Sequence, residues 1–107
     1  MSNRNYDIIV WGATGFTGCL VVEYLVTHHP NTRLAIGGRN EEKCRQVLQE
    51  LDCELPILIA DAFDEPSLRK LVRETKVVCT TVGPYSKYGQ LLVSLCVEEG
   101  TDYCDLT

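Results

Sequence analysis

The sequence has little basic charge and no long apolar segment, and these two absences exclude several classes of protein. Ten Lys and Arg residues stand against fifteen Asp and Glu residues, so the formal net charge is −5 at pH 7. That sign is wrong for a surface that binds a nucleic-acid backbone by releasing its counterions. No stretch approaches the roughly 20 consecutive apolar residues of a membrane span, and residues 1–7 lack the apolar core of a secretion signal. We therefore predict a cytoplasmic protein that does not bind nucleic acid and has no membrane span.

Cysteines at metal-binding or redox spacing are also missing. The chain holds six cysteines, but none lies in a C-x-x-C pair and no second cluster of metal ligands accompanies them. In a small secreted domain they would indicate disulfides, whereas scattered cysteines are typical of small buried residues in a reducing compartment. We predict neither a metal site nor redox chemistry for them. The six are Cys19, Cys44, Cys53, Cys79, Cys96 and Cys104.

The length of 107 residues fits one compact domain. A domain of this size buries about 60–70% of the surface of its unfolded chain, so it can fold without disulfides or metals. Separate cofactor and substrate domains would not fit. Because the sequence contains no repeat, linker or low-complexity tract, we predict a single domain over residues 1–107.

Short apolar runs alternate with segments of helical periodicity along the chain. Residues 7–11 form a nearly continuous apolar run that ends at a glycine, which is typical of a strand covered on both faces. Asn40 and Asp64 are suitable N-caps for the helices that follow them. The predicted strands cover residues 7–11, 33–37, 57–60, 76–82 and 102–105, and the predicted helices cover residues 17–28, 41–51, a short segment after Asp64, and 89–99.

This order of elements predicts the fold class. Apolar strands that alternate with amphipathic helices through short connections form right-handed crossovers. The expected result is an α/β fold, a three-layer, doubly wound parallel sheet of about five strands in the order 3-2-1-4-5. Ligands of such sheets bind beyond the carboxyl ends of the strands, where the strand order reverses between the first and fourth strands.

A glycine-rich loop connects the first predicted strand to the first predicted helix. It reads Gly12-Ala13-Thr14-Gly15-Phe16-Thr17-Gly18, with a glycine at every third position. The first glycine tolerates an unusual φ, the second lets the backbone approach a ligand, and the third lets the helix pack closely on the sheet. The N–H groups and positive dipole end of a starting helix suit a diphosphate, with the Thr14 and Thr17 hydroxyls as further donors.

Two other interpretations of this loop are a P-loop and a tight turn without a ligand. A P-loop is excluded because Cys19 and Leu20 follow Gly18 in place of Lys and Ser or Thr. A tight turn stays an alternative, but the position between a strand and a helix favours dinucleotide binding.

The end of the second predicted strand distinguishes between the two nicotinamide cofactors. A domain that binds NAD usually has an Asp or Glu there to bind the ribose 2′-hydroxyl, but this strand leads into Gly37-Gly38-Arg39-Asn40. The Arg39 guanidinium offers paired donors to a 2′-phosphate. We therefore predict NADPH over NADH, with a solvated surface charge near a helix start as the alternative role of Arg39.

Two further segments are expected at the same edge of the sheet. Gly83 allows a close backbone approach and Pro84 stiffens the turn, so both could line the nicotinamide end of the cleft; a tight turn is nearly as good an explanation. Asp61, at the end of the third strand, is expected at the adenine edge, and capping of the following turn is an equal alternative.

Several motifs together resemble the saccharopine dehydrogenase-like oxidoreductases, the group that includes the trans-acting enoyl reductases. They span residues 11–18, 37–40, 80–85, 88–89 and 100–107. The resemblance implies a Rossmann domain with NADP or, less favoured, NAD in the crevice. It implies a longer enzyme, of which residues 1–107 are the N-terminal part. The resemblance implies Gly12, Thr14, Gly15, Phe16 and Thr17 around the diphosphate, Arg39 at the adenosine ribose, and Gly83 with Pro84 near the nicotinamide ribose. The other expected cofactor-binding residues are Gly18, Asn40 and Asp61.

No catalytic residue is identifiable in the sequence. None of the five tyrosines has a Lys four positions later, so the acid/base pair of the short-chain dehydrogenases is absent. We expect the cofactor-binding part of an oxidoreductase, unable to turn over alone. The alternative is a non-catalytic module that senses NADP or serves in protein interactions. The edge of the last strand is expected to favour self-association.

Overall fold

A computed structural model describes residues 4–82 and 89–105 of the chain. These residues form a single parallel sheet in the order β3-β2-β1-β4-β5, so the predicted fold class and strand order are confirmed. No helix in the described segments is long and apolar enough to cross a membrane. The elements are β1 (Tyr6–Trp11), α1 (Phe16–His28), β2 (Leu34–Gly38), α2 (Glu41–Glu50), β3 (Ile57–Ile59), α3 (Glu65–Arg73), β4 (Thr75–Thr80), α4 (Gln90–Glu99) and β5 (Asp102–Cys104).

Both faces of the sheet are covered by helices. Alternate residues of β1 point to opposite faces, so that Ile9 joins one buried cluster and Val10 the other. The cluster of Ile9 contains side chains of α3 and α4, and the cluster of Val10 contains side chains of α1 and α2. This layering explains why β1 carries four consecutive apolar residues, from Ile8 to Trp11.

The predicted N-caps are confirmed for two helices. The Asn40 side chain accepts a hydrogen bond from the Lys43 N–H at 3.1 Å at the start of α2, and Asp64 accepts one from the Ser67 N–H at 3.2 Å at the start of α3. The first helix differs, because Gly15 is its N-cap and supplies no side-chain hydrogen bond. The start of α1 therefore keeps backbone donors for another partner.

The fourth strand ends two residues earlier than the sequence predicts. Residues 76–82 were expected to be extended, but β4 ends at Thr80. The hydroxyl of Thr80 accepts a hydrogen bond from the Val82 N–H at 3.2 Å, which turns the chain out of the sheet. Thr81 still donates its N–H to the Trp11 carbonyl at 3.1 Å. The end of β4 is thereby attached to the start of the glycine-rich loop.

The guanidinium of Arg4 joins the start of the chain to its last elements. Its Nη1 donates to the carbonyl oxygens of Val72 at 2.7 Å and Thr75 at 3.1 Å, and to Thr101 Oγ1 at 2.8 Å. Its Nη2 donates to the carbonyl oxygen of Glu99. Arg4 thus ties the ends of α3 and α4 to the amino-terminal edge of the sheet and leaves the carboxyl edge open.

Candidate functional site

A cleft of about 340 Å³ opens at the carboxyl edge of the sheet. Residues that follow four different strands, β1 to β4, meet there, at the reversal of strand order. A larger concavity of about 830 Å³ lies beside the end of α2, but one continuous stretch, residues 45–55, forms it. The smaller cleft is the better candidate because it assembles distant parts of the chain. It is lined by Trp11, Gly12, Thr14, Gly38, Arg39, Asp61, Ala62, Phe63 and Val82.

Two glycines of the loop are required by the packing of the protein itself. Gly12 has φ +88°, and a Cβ there would lie 2.4 Å from Val82 Cγ2. A Cβ at Gly18 would lie 2.2 Å from the Gly12 carbonyl oxygen and 2.9 Å from Ala13 Cα. The first turn of α1 therefore packs directly on the loop that precedes it, at a distance that only glycine permits.

Gly15, the middle glycine of the loop, has space around it. The nearest heavy atom to a Cβ at Gly15 would be the Gly12 carbonyl oxygen at 3.6 Å, an ordinary contact, and its backbone is extended with φ −80° and ψ 167°. Nothing in the described part of the chain requires glycine here. The exposed backbone at this position can be approached closely by a ligand.

The start of α1 has the electrostatic character of an anion site. The Cys19 N–H makes the first helical hydrogen bond, to the Gly15 carbonyl at 2.9 Å, so the N–H groups of residues 16–18 precede the helical ladder. No acidic residue lies in the first turn. Thr17 and Phe16 are exposed, with 83% of Phe16 accessible, so Phe16 offers its backbone here and does not fill the cleft. The positive end of the helix dipole is left uncompensated by side chains of this turn.

Arg39 and Asn40, adjacent in the sequence, have different roles. Gly37 and Gly38 end β2 in buried positions, and Arg39 then emerges as an exposed side chain that lines the cleft. The Asn40 side-chain oxygen caps α2 through the Lys43 N–H. The cleft therefore receives a guanidinium from the end of β2, and no carboxylate follows directly.

Asp61 lines the cleft and also shapes the turn after β3. Its Oδ1 accepts a hydrogen bond from the Phe63 N–H at 2.8 Å, and its own N–H donates to Ser67 Oγ at 3.2 Å. The carboxylate caps the turn, which is one of the two roles that the sequence left open, and it does so at the border of the cleft. The turn presents Phe63, 62% exposed, as an aromatic surface of the cleft.

The end of β4 closes the cleft on the side of the glycine-rich loop. Thr81 Oγ1 donates to the Gly12 carbonyl oxygen at 3.3 Å, and the Val82 side chain contacts the loop at Gly12. Gly83 and Pro84, predicted for the nicotinamide end, lie outside the described residues. Val82 was missed because it reads as a strand residue, whereas the exposed Phe63 had a usable signal, an aromatic residue within a polar turn at the end of a strand.

The structure places most of the predicted residues at the carboxyl edge of the sheet, but they are not equally accessible from the cleft. Gly12, Thr14, Arg39 and Asp61 line the cleft itself. Gly18 is buried beneath the loop. Among residues 4–82 and 89–105, no three His, Cys, Asp or Glu side chains are grouped as metal ligands.

Comparison with known proteins gives relatives for nearly the whole chain. Residues 8–107 match the sequence model of the saccharopine dehydrogenase NADP-binding domain family. A trans-acting enoyl reductase of Mycobacterium ulcerans is 39% identical over 109 aligned positions, which cover 99% of this chain and 26% of the relative. A putative trans-acting enoyl reductase of Mycobacterium tuberculosis is 44% identical over 107 positions, 97% of this chain and 26% of the relative. The chain thus spans about a quarter of the length of these relatives.

Solved structures agree on the fold at low sequence identity. A short-chain dehydrogenase/reductase of Veillonella parvula in complex with NADP has a TM-score of 0.76 at 14% identity, over 94% of this chain and 46% of that one. The apo saccharopine dehydrogenase (L-Glu forming) of Saccharomyces cerevisiae has a TM-score of 0.74 at 17% identity, over 94% of this chain and 21% of that one. These likenesses concern the arrangement of strands and helices alone.

Proposed function

Since this chain belongs to the family of saccharopine dehydrogenase NADP-binding domains, we propose that it binds NADPH in the cleft at the carboxyl edge of its sheet. We further propose that it serves as the cofactor-binding part of an oxidoreductase of the trans-acting enoyl reductase type. The relatives that carry this name are about four times as long, so the reaction and its substrate are part of the proposal.

The observation that carries the proposal is the start of α1. Three backbone N–H groups precede the helical ladder, no acid occupies the first turn, and Gly15 leaves open space above them. A diphosphate fits this position because it accepts several N–H donors at once and carries charge opposite to the helix dipole. Thr14, exposed and at the cleft, adds a hydroxyl donor beside it.

Arg39 is proposed to select the phosphorylated cofactor. A 2′-phosphate carries about −1.5 to −2 charges at neutral pH, and an arginine binds such a group through paired, charge-assisted hydrogen bonds. A carboxylate would repel it, and the end of β2 has none. Asp61 and Phe63 are proposed at the adenine, Asn40 near the ribose, and Gly83 with Pro84 near the nicotinamide ribose.

The chain's part in the reaction is binding and orientation. When bound, the nicotinamide supplies the hydride chemistry. Arg39 and Asp61 are the two charged side chains that line the cleft in the described part of the chain, and both belong to the proposed adenosine side. We therefore propose that substrate binding and proton donation come from the further length present in the relatives, with residues 1–107 as the N-terminal domain. A module that senses NADP without catalysis remains the competing proposal.

Parallel calorimetric titrations with NADPH and NADH test the function. We expect NADPH to bind more tightly than NADH by at least about tenfold, which is about 1.4 kcal/mol. If neither nucleotide gives a heat of binding, dinucleotide binding is contradicted. Equal affinities would contradict the assignment of NADPH while leaving the site itself intact.

We also propose a cytoplasmic location for this domain. All six cysteines are free thiols, a state that reducing compartments maintain. NADPH binding is compatible with such a compartment. Localisation of a fluorescent fusion of the full gene product would test the proposal, and export from the cytoplasm would contradict it.

Self-association through β5 is proposed as well. Strand β5 forms one of the two edges of the sheet and pairs with β4 in the described residues, so its outer row of backbone donors and acceptors faces away from the sheet. We expect light scattering to detect dimers as the concentration of this 107-residue chain rises. Asp102→Pro, which removes a backbone N–H and stiffens the edge, should reduce the dimer fraction. A monomer at all concentrations would contradict the proposal.

A further inference from the structure

Two cysteines that are distant in the sequence face each other in the sheet. Cys79 of β4 and Cys104 of β5 are partners in the register of these parallel strands, and Cys104 is near enough to affect the ionisation of the Cys79 thiol. Neighbouring strands lie about 4.8 Å apart, which falls within the Cα separation of about 4.4–6.8 Å found in disulfides. The spacing along the chain gave no sign of this pair because the sheet brings the two residues together.

The two thiols differ in access. Cys104 is exposed, whereas the other five cysteines are buried or half-buried. Cys79 is half-buried, and burial raises the pKa of its thiol to about 11, with the neighbouring Cys104 and Asp105 adding to the increase. A small reagent in solution therefore meets Cys104 first, and Cys79 is positioned behind it as the second thiol.

We propose that Cys79 and Cys104 form a thiol–disulfide exchange site whose oxidant is a low-molecular-weight disulfide such as oxidised glutathione. In the first step the Cys104 thiolate attacks one sulfur of the oxidant, so that its S–S bond breaks, a mixed disulfide forms and one glutathione leaves. In the second step the Cys79 thiol gives its proton to water, and the resulting thiolate attacks the Cys104 sulfur. The cross-strand disulfide forms and a second glutathione leaves, with two electrons transferred in total.

The geometry favours a reversible bond over a permanent one. Paired side chains of parallel strands stand side by side at about the strand separation, whereas disulfides bring their Cβ atoms to about 3.5–4.5 Å. Closure must therefore draw β4 and β5 together locally, and strained or exposed disulfides are the ones that are readily reduced again.

Another pair of cysteines offers an internal comparison. Cys19 and Cys53 are close enough for Cys19 to raise the pKa of Cys53, after burial and Asp52. Both are part-buried, and no hydrogen bond between their thiols contributes to either shift. The two cysteines are therefore close together in both pairs. Only Cys79 and Cys104 are also partners in strand register, and only that pair has an exposed thiol.

Peptide mapping of the reduced, folded chain tests the proposal without reference to nucleotide binding. The protein is treated with oxidised glutathione, unfolded, alkylated with iodoacetamide and digested. In the wild-type chain we expect residues 79 and 104 to lose their labels together, a peptide linked through them to appear, and dithiothreitol to restore both labels. Retention of all six labels, a link between other cysteines, or a lasting glutathione adduct on Cys104 would overturn the proposal.

Three variants separate the two steps. Cys79→Ser should accumulate glutathione on Cys104, because the second thiol is missing, and Cys104→Ser should keep all of its remaining labels. Cys53→Ser is the matched control and should form the 79–104 link as the wild type does. Loss of labels at other positions in Cys104→Ser would overturn the proposal, and the wild-type map decides the question should Cys79→Ser fail to fold.

Discussion

Gly18→Ala is expected to destabilise the domain by about 3 kcal/mol, the upper end of the range for overpacked cores, and to abolish dinucleotide binding. The added methyl group would lie 2.2 Å from the Gly12 carbonyl oxygen and 2.9 Å from Ala13 Cα. Both are backbone atoms, so no side-chain rotation relieves the contact and α1 must move away from the loop. Urea denaturation followed by circular dichroism measures the change in the free energy of unfolding.

Gly15→Ala, in the same loop, is the matched control. Its methyl group would meet nothing closer than 3.6 Å, and the backbone at this position suits any residue. We expect the free energy of unfolding to change by less than about 0.5 kcal/mol. The affinity for NADPH should nevertheless fall by at least about tenfold, because the methyl group occupies the space proposed for the diphosphate.

The two glycine variants test different statements. Wild-type stability of Gly18→Ala would contradict the close packing of α1 on the loop. Wild-type affinity of a stable Gly15→Ala would contradict the proposed position of the diphosphate.

Arg39→Ala is expected to weaken NADPH binding by about ten- to a hundredfold and to leave NADH binding nearly unchanged. This loss corresponds to about 1.5–3 kcal/mol, the value of hydrogen bonds to charged groups. Because Arg39 is exposed, added salt should reduce the difference between wild type and variant. Calorimetric titrations of both nucleotides at two salt concentrations provide the measurement.

Two further variants define what Arg39 contributes. Arg39→Lys keeps the charge without the planar fork of donors, so its affinity for NADPH should lie between those of Arg39→Ala and the wild type. Arg45→Ala removes another exposed arginine, one that pairs with Glu41 on α2, and should bind both nucleotides as the wild type does. Equal losses for NADPH and NADH in Arg39→Ala would contradict the selection of the 2′-phosphate.

The fold was predictable from local patterns because each element carries its own signal. Apolar runs covered on both faces indicate parallel strands, and Asn40 and Asp64 mark helix starts in agreement with the structure. The end of β4 was not predictable in this way. Just past the end of that strand the Val82 N–H donates to Thr80 Oγ1, and the alternation of apolar and polar residues does not predict such a side-chain hydrogen bond.

The location of the cleft was predictable from the sequence, whereas the roles of the individual residues around it were less so. Strand order and the glycine-rich loop together indicate the carboxyl edge, and the cleft lies there. Which glycine serves packing and which serves a ligand depends on distances to Gly12, Ala13 and Val82 that exist only in the folded chain. The same holds for Phe63, which reaches the cleft because Asp61 bends the turn beneath it.

The hydrogen bonds of Arg4 have a consequence for synthesis on the ribosome. Its partners at Glu99 and Thr101 follow it by 95 and 97 residues. Arg4 and the middle strand that follows it are therefore translated early, whereas the hydrogen bonds of Arg4 form late. Until β4 emerges, β1 has one unpaired edge on an apolar strand. Nascent chains in that state are vulnerable to aggregation and are substrates for chaperones. The domain therefore completes its sheet and the hydrogen bonds of Arg4 only when the last third of the chain has been made.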